Sequence, residues 1–225
     1  FFRVNTLGSV NLLWATIRSE TVEKLIHISS SEVYGTAKHV PMNEDHPTLP
    51  HSTYAVSKLA ADRSVFSMSK EHGFPVVIIR PFNCYGPNIT EPYIVPEIML
   101  QLLSGKSKVV LGRVDTSRDF TYVEDTARGI ILSSTTEKAV GETINLGSGK
   151  DITIKELVRS IASLLEMNVD IEFDSSRVRP YDVDRLVCDA SKAHRLLSWT
   201  PKVSLEEGLR RTLLWVRNNK VEFNQ

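Results

Sequence analysis

The sequence has little that would crosslink it, span a membrane or charge a surface. It holds 2 cysteines in 225 residues, Cys84 and Cys188, far apart and without CxxC spacing. That argues against a disulfide framework and for a reduced, cytoplasmic setting. No apolar run approaches ~18 residues, so no membrane span is expected, and no signal peptide is visible. The 27 basic and 27 acidic residues cancel, with a pI near 7.2. No basic field is left for nucleic acid and no polybasic stretch for an anionic membrane. The histidines at 27, 39, 46, 51, 72 and 194 show no metal-ligand spacing. Internal repeats and low-complexity segments are missing too. There is no initiator Met: Phe1-Phe2-Arg3 runs straight into a helical pattern, which leads us to expect a piece of something longer.

What is present is 41% apolar residues, enough for one large domain or two unequal ones. Val10, Leu13, Trp14 and Ile17 recur at helical spacing, so residues 4–19 are predicted to be a helix. Lys24 to Ser29 reads as a short buried strand. A loop with Pro41, Pro47 and Pro50 leads to a helix over 53–72, closed by Gly73. Pro75 to Arg80 is a second apolar strand. Long helices alternating with short β-branched runs indicate a parallel sheet with helical crossovers. Further on, helices are predicted at 95–104, 123–134, 189–197 and 204–219, with short strands at 109–111, 120–122, 143–146 and 169–173. Thr153 with Glu156, and Ser204 with Glu207, stand as capping pairs. His27, the cysteines, Trp14, Trp199 and Trp215 are expected to be packing residues.

Two segments carry chemistry. Ser29-Ser30-Ser31-Glu32-Val33-Tyr34-Gly35 lies just past the carboxyl end of a predicted parallel strand, the edge where open α/β sheets bind ligands. Three hydroxyls and a carboxylate there could orient and deprotonate a polyol. They could equally be a polar strand exit bonded to its own backbone. Tyr54-Ala55-Val56-Ser57-Lys58 places a phenol and an ammonium on one helix face. An ammonium nearby lowers a phenol's pKa, and such a phenol can take a proton from a sugar hydroxyl. The pattern alone is equally an ordinary helix surface. It also occurs twice, since Tyr34-Gly35-Thr36-Ala37-Lys38 matches. Gly35 and the proline-bearing loop break helical geometry there, so Tyr54 is the better candidate.

Taken in order, the serine segment, Tyr54-x-x-x-Lys58, Arg80-Pro81-Phe82-Asn83-Cys84-Tyr85-Gly86-Pro87, Arg118-Asp119-Phe120-Thr121-Tyr122-Val123-Glu124-Asp125 and Asn145-Leu146-Gly147 resemble the extended short-chain dehydrogenase/reductase family. Within it the sequence is similar to the nucleotide-sugar epimerases and dehydratases. The likeness continues through Arg179-Pro180, Asp189 to Ala193, Leu196 to Pro201 and Ser204 to Leu209, covering essentially the whole chain. It implies a Rossmann-like, doubly wound parallel sheet, here its C-terminal part, with a smaller α+β substrate-binding domain. Residues 1–82 and about 120–147 would belong to the NAD-binding domain, 83–119 and 148–225 to the substrate domain.

The resemblance also implies roles. Ser30 would hold the reacting hydroxyl, Tyr54 would be the acid/base at C4, and Lys58 would tune it while gripping the ribose of NAD. Ser29 and Pro81 would also lie on the coenzyme side. Asn83, Arg118 and Arg179 would bind the diphosphate of a nucleotide-sugar, arginine suiting it by its planar fork. Arg118 could instead pair with Asp119 or Asp125, and Arg179 could be a surface charge. Glu32 separates subclasses. An acid at this place resembles 4,6-dehydratases, first the UDP-N-acetylglucosamine type and then the dTDP-glucose type, and sugar-acid decarboxylases, whereas simple 4-epimerases usually lack it. Glu32 would remove the C5 proton of a 4-keto sugar, with Ser31 or protonated Glu32 as acid for the departing hydroxyl. It could also be a structural carboxylate. A non-catalytic nucleotide-sugar-binding protein on the same fold is the reading of another class. A homodimer through the helices near 4–19 and 54–72 is expected. The Gly-rich turn that binds the coenzyme pyrophosphate does not occur, and Gly147-Ser148-Gly149 has the wrong spacing. At about 30 residues per βαβ unit, roughly 90 upstream residues would supply it.

Overall fold

The computed structural model describes residues 1–88, 93–178 and 183–219. A π-helical turn, Phe2–Leu7, runs into helix α1, Gly8–Ile17. Strand β1 is Leu25–Ile28, and helix α2 is Thr53–His72. The Ser52 side chain caps α2 by accepting from the Ala55 N–H, and Gly73 closes it at φ 64°. Strand β2, Val76–Pro81, is followed by β3, Asn83–Tyr85. Then come α3 (Ile94–Leu103), β4 (Lys108–Leu111), β5 (Ser117–Tyr122) and α4 (Val123–Thr135). The chain continues with β6 (Thr143–Leu146), β7 (Asp151–Thr153), α5 (Ile154–Leu164) and β8 (Asp170–Phe173). Strand β9 (Arg185–Leu186), α6 (Ser191–Leu197) and α7 (Leu205–Asn219) complete it.

The first sheet has order β1-β2-β6 and is parallel throughout, with Leu25 opposite Val76 and Ile79 opposite Ile144. Side chains alternate across a strand, and β2 shows the consequence. Val76 and Ile78 pack with Leu13 and Val65 from α1 and α2. Val77 and Ile79 face the other way, toward Ile144, Leu146, Leu197 and Trp199. A strand buried on both faces must be a continuous apolar run, and Val76 to Ile79 is one.

A second assembly begins where β2 runs on into β3. Strand β5 pairs with β3 and β9 in parallel and with β7 antiparallel, while β4 and β8 form a separate parallel pair. Its core gathers Ile98, Met99, Leu102, Leu157, Val158, Ile161, Leu209 and Leu213 from α3, α5 and α7. Helix α5 starts on a complete capping box of Thr153 and Glu156. The Ser204 hydroxyl accepts from the Glu207 N–H at the start of α7.

Trp199 is fully buried and Trp215 packs on the second core, but Trp14 stands at the surface against His72 and under Arg18. Cys188 lies in the core, whereas Cys84 is exposed. On the short strand β3, Tyr85 takes the inward position, leaving the Cys84 side chain outward. Among the described residues, no helix is long and apolar enough to cross a membrane, and no group of three His, Cys, Asp or Glu is placed to hold a metal ion.

Candidate active site

The serine segment and the Tyr54 helix meet at the carboxyl edge of the parallel sheet. The Ser29 N–H still bonds to Ile79 O at 2.7 Å, extending the strand ladder by one residue. The chain then turns. Ser30 is extended and caps a 3₁₀ turn, Ser31–Tyr34, its hydroxyl accepting from the Glu32 N–H at 3.2 Å. A 3₁₀ turn of this length points successive side chains in different directions. Ser31, Val33 and Tyr34 go inward, and Glu32 stays half-buried at the rim.

Helix α2 brings Tyr54 to this turn. The Ser30 hydroxyl and Glu32 both stand close enough to the Tyr54 phenol to act on its ionisation. Burial and the Glu32 charge push the phenol up, with the Ser30 hydroxyl pulling the other way. The lowering expected from Lys58 is not found. The Lys58 ammonium instead donates to Ile28 O at 2.5 Å, at the last residue of β1. Burial lowers the Lys58 pKa, and the charge of Asp62 opposes that. Helix spacing puts Lys58 on the correct face, but the strand-end carbonyl takes its charge.

Ser29 is 3% exposed, and its hydroxyl oxygen has no partner. An orphaned polar atom of this kind, beside Lys58 at the ligand-binding edge, is the feature a coenzyme's polar group would satisfy. Pro81 ends β2 opposite Leu146. Asn83 begins β3 two residues later, with its Oδ1 buried and unpartnered. Arg118 lies on the neighbouring β5, its Nη1 donating to Ser117 O at 2.9 Å. The two carboxylates considered as its partners are committed elsewhere. Asp119 accepts from the N–H groups of Ser148, Gly149 and Cys188 and from the Ser148 hydroxyl. Asp125 binds Arg128 and the N–H groups of Lys202 and Val203. The Gly147-Ser148-Gly149 turn therefore wraps a buried carboxylate. Arg179 lies outside the described residues.

Beneath the site runs a polar network that motif reading passed over. Arg80, on β2, donates through Nε and Nη2 to both Asp62 oxygens, at 2.9 and 3.2 Å, and through Nη1 to the Tyr34 hydroxyl at 3.0 Å. Tyr34 donates to Asn145 Oδ1 at 2.7 Å. The signal was present in the sequence: an arginine ending the run Val76 to Ile79 is a charge headed for the interior, and an interior charge needs a partner.

A parallel sheet with helices on both faces, and a tyrosine beside a serine at its carboxyl edge, define a Rossmann-like domain. A family model for GDP-mannose 4,6 dehydratase matches residues 1–212, and the chain belongs to that family of NAD-dependent nucleotide-sugar epimerases and dehydratases. It is 34% identical over 240 residues to a dTDP-glucose 4,6-dehydratase of Neisseria gonorrhoeae, covering 98% of this chain and 69% of that protein. It is 29% identical to a putative UDP-glucose 4-epimerase of Methanocaldococcus jannaschii, covering 96% and 70%. Among solved structures, dTDP-glucose 4,6-dehydratase from Bacillus anthracis in complex with NAD matches with TM-score 0.87 at 30% identity, covering 98% of this chain and 70% of that one. UDP-glucuronic acid 4-epimerase from Bacillus cereus in complex with UDP-glucuronic acid and NAD matches with TM-score 0.88 at 31% identity, covering 96% and 68%.

Proposed function

We propose that this chain carries the acid/base machinery of an NAD-dependent nucleotide-sugar 4,6-dehydratase. The observation behind the reading is the meeting of Ser30, Glu32 and Tyr54 at one sheet edge. A hydroxyl and a carboxylate both stand beside the phenol. The dTDP-glucose 4,6-dehydratases among its relatives agree with this choice.

In this reading Ser30 orients the C4 hydroxyl and Tyr54 takes its proton. NAD, when bound, supplies a hydride acceptor for C4 and a donor for C6. Ser29, Tyr54, Lys58 and Pro81 would hold its nicotinamide-ribose end. The C4 ketone acidifies the C5 proton, and Glu32 removes it. The C6 hydroxyl then leaves as water, protonated by Ser31 or by Glu32. Asn83, Arg118 and Arg179 would hold the substrate diphosphate. A phenol pushed up by burial and by Glu32 stays protonated at neutral pH. It therefore takes up the C4 proton only once a cation is brought against it, and Lys58, one helical turn away, would supply that charge by leaving the Ile28 carbonyl it now holds.

The test is Glu32→Gln in the full-length enzyme, assayed with a nucleotide-linked hexose. C4 oxidation should persist while loss of water stops. Dehydration at the wild-type rate would remove Glu32 from this role. Epimerisation is the second reading, favoured by the 4-epimerases among the relatives. Incubation with hexose and hexuronate nucleotides separates the outcomes: water loss, CO₂ loss or neither. A homodimer through the Phe2–Ile17 segment and α2 belongs to the same proposal. Val4, Leu7, Leu12, Trp14 and Val56 leave apolar surface exposed there. A monodisperse monomer in light scattering would count against it.

A further inference from the structure

Proton transfer needs the Ser30–Glu32 turn and the Tyr54 helix held in register, since reacting groups misplaced by about 1 Å can lose on the order of 10²-fold in rate. The two segments come from different elements, and at the edge itself the Lys58 bond to Ile28 O ties α2 to the strand that leads into the turn. The main joint lies underneath.

We propose that Arg80 is a positioning residue that locks the Ser30–Glu32 turn to helix α2, gripping Tyr34 on one side and Asp62 on the other. This rests on the assignment of Ser30, Glu32 and Tyr54 above. Tyr34 is the last residue of the turn that Ser30 caps. Its hydroxyl accepts from Arg80 Nη1 at 3.0 Å and donates to Asn145 on β6 at 2.7 Å. The guanidinium carbon also stacks over its ring, 4.9 Å from the centroid. Asp62 lies on α2 one helical turn beyond Lys58, and both its oxygens accept from Arg80. Tyr34, Asp62 and Asn145 are fully buried, and Arg80 is 3% exposed. The joint is therefore kept from water, and each polar contact in it has a fixed direction. A planar fork can serve a carboxylate and a phenol at once, which a lysine ammonium on a flexible stem cannot. Asp62 does a second thing from the same place, opposing with its charge the loss of the Lys58 proton that burial favours.

The experiment uses the full-length enzyme and three near-isosteric or charge-conserving variants, Tyr34→Phe, Asp62→Asn and Arg80→Lys. Each should lower kcat about 10- to 100-fold while KM for the sugar nucleotide moves less than about threefold. Hydrogen exchange supplies a readout free of turnover. The Val33 and Gly35 amides close the serine turn onto Ser30 O and Glu32 O. They should exchange at least tenfold faster in Asp62→Asn, although that change is on the helix. Tyr34→Phe should in turn speed exchange in the α2 turn around Asp62. If each variant loosens only its own element, or if melting temperature falls while kcat stays within twofold, the network merely stabilises the fold and the proposal is overturned. Should one variant fail to fold, the other two carry the same test. A wild type that epimerises instead of dehydrating would sink the Glu32 reading alone, because C4 oxidation precedes both outcomes and its kcat ratios still test the joint.

Discussion

Two Tyr-x-x-x-Lys segments in this chain have opposite fates. After Tyr34, Gly35 adopts φ 67°, which ends the 3₁₀ turn and sends the backbone away from Lys38. Tyr34 is fully buried, its hydroxyl held by Arg80 and Asn145. Its pKa is pushed up to about 12 by burial, even with Arg80 and Asn145 pulling down. Tyr54 follows a Ser52 cap and opens a 20-residue helix, so Lys58 does lie one turn beyond it. It is half-buried, beside Ser30 and Glu32. The difference is one of commitment. The Tyr34 hydroxyl has its donor and acceptor capacity engaged inside the protein, whereas the Tyr54 phenol faces groups at an open edge. The same motif spends its phenol inside the protein in one place and leaves it at an open edge in the other.

The largest expected effect tests that contrast directly. Tyr54→Phe should reduce turnover by about 10²- to 10⁴-fold, the usual worth of a general acid/base, with little change in melting temperature. Tyr34→Phe should cost roughly 1–3 kcal/mol in denaturant unfolding, because Asn145 and Arg80 lose a buried partner, and its rate loss should be the smaller of the two. The reverse ranking in steady-state rates would invert the comparison.

His27, on β1 ahead of both segments, gives a pH signature. It is buried, its Nε2 has no partner, and burial first and the Lys58 charge second lower its pKa from 6.5 to about 4, Asp62 opposing. Below pH 6.5 the unfolded chain takes up a proton that the folded chain refuses. This contribution therefore destabilises the fold as pH falls from 6.5 toward 4, by about 3 kcal/mol at the lower end at ~1.36 kcal/mol per pH unit. It is flat above that window. His27→Gln should flatten this limb in urea unfolding between pH 7 and 4.5, and an unchanged slope would mean His27 is not its source.

Gly35→Ala should cost about 1–3 kcal/mol, since a Cβ there meets the Leu49 carbonyl as well as an unfavourable φ. Gly73→Ala, at a similar φ but in open space, should cost less, about 1 kcal/mol. Equal melting temperatures for the two would show that crowding against Leu49 does not matter. The smallest change is Thr153→Ala, at the start of α5 in the second assembly, at about 1 kcal/mol for a lost cap. It should leave turnover unaltered.

Much of this molecule was legible in the order of its residues. The apolar run Val76 to Ile79 announced a strand covered on both faces, and Thr143 to Leu146 its neighbour. Ser52, Gly73, Thr153 and Ser204 marked helix ends because capping is local chemistry, settled within one turn of chain. That the Tyr54 segment is helical while the Tyr34 segment breaks at Gly35 was legible for the same reason. Pairing across distance was not. The two-residue strand β9 on β5 carries no periodicity of its own, and the outward turn of Cys84 depends on which neighbours fill the inside.

Residue order by itself thus determined the parallel sheet, its helical crossovers and the candidate residues at the sheet edge, since periodicity, caps and turn chemistry act between near neighbours. Tertiary structure alone decided what those residues experience. It placed the Lys58 ammonium on Ile28 O instead of lowering the Tyr54 phenol, and it set Glu32 where it raises that phenol further. It also joined Asp62, Arg80, Tyr34 and Asn145, from four separate elements, into one buried network. Ionisation and hydrogen-bond partnership depend on distance and desolvation in three dimensions, and neither has a period along the chain.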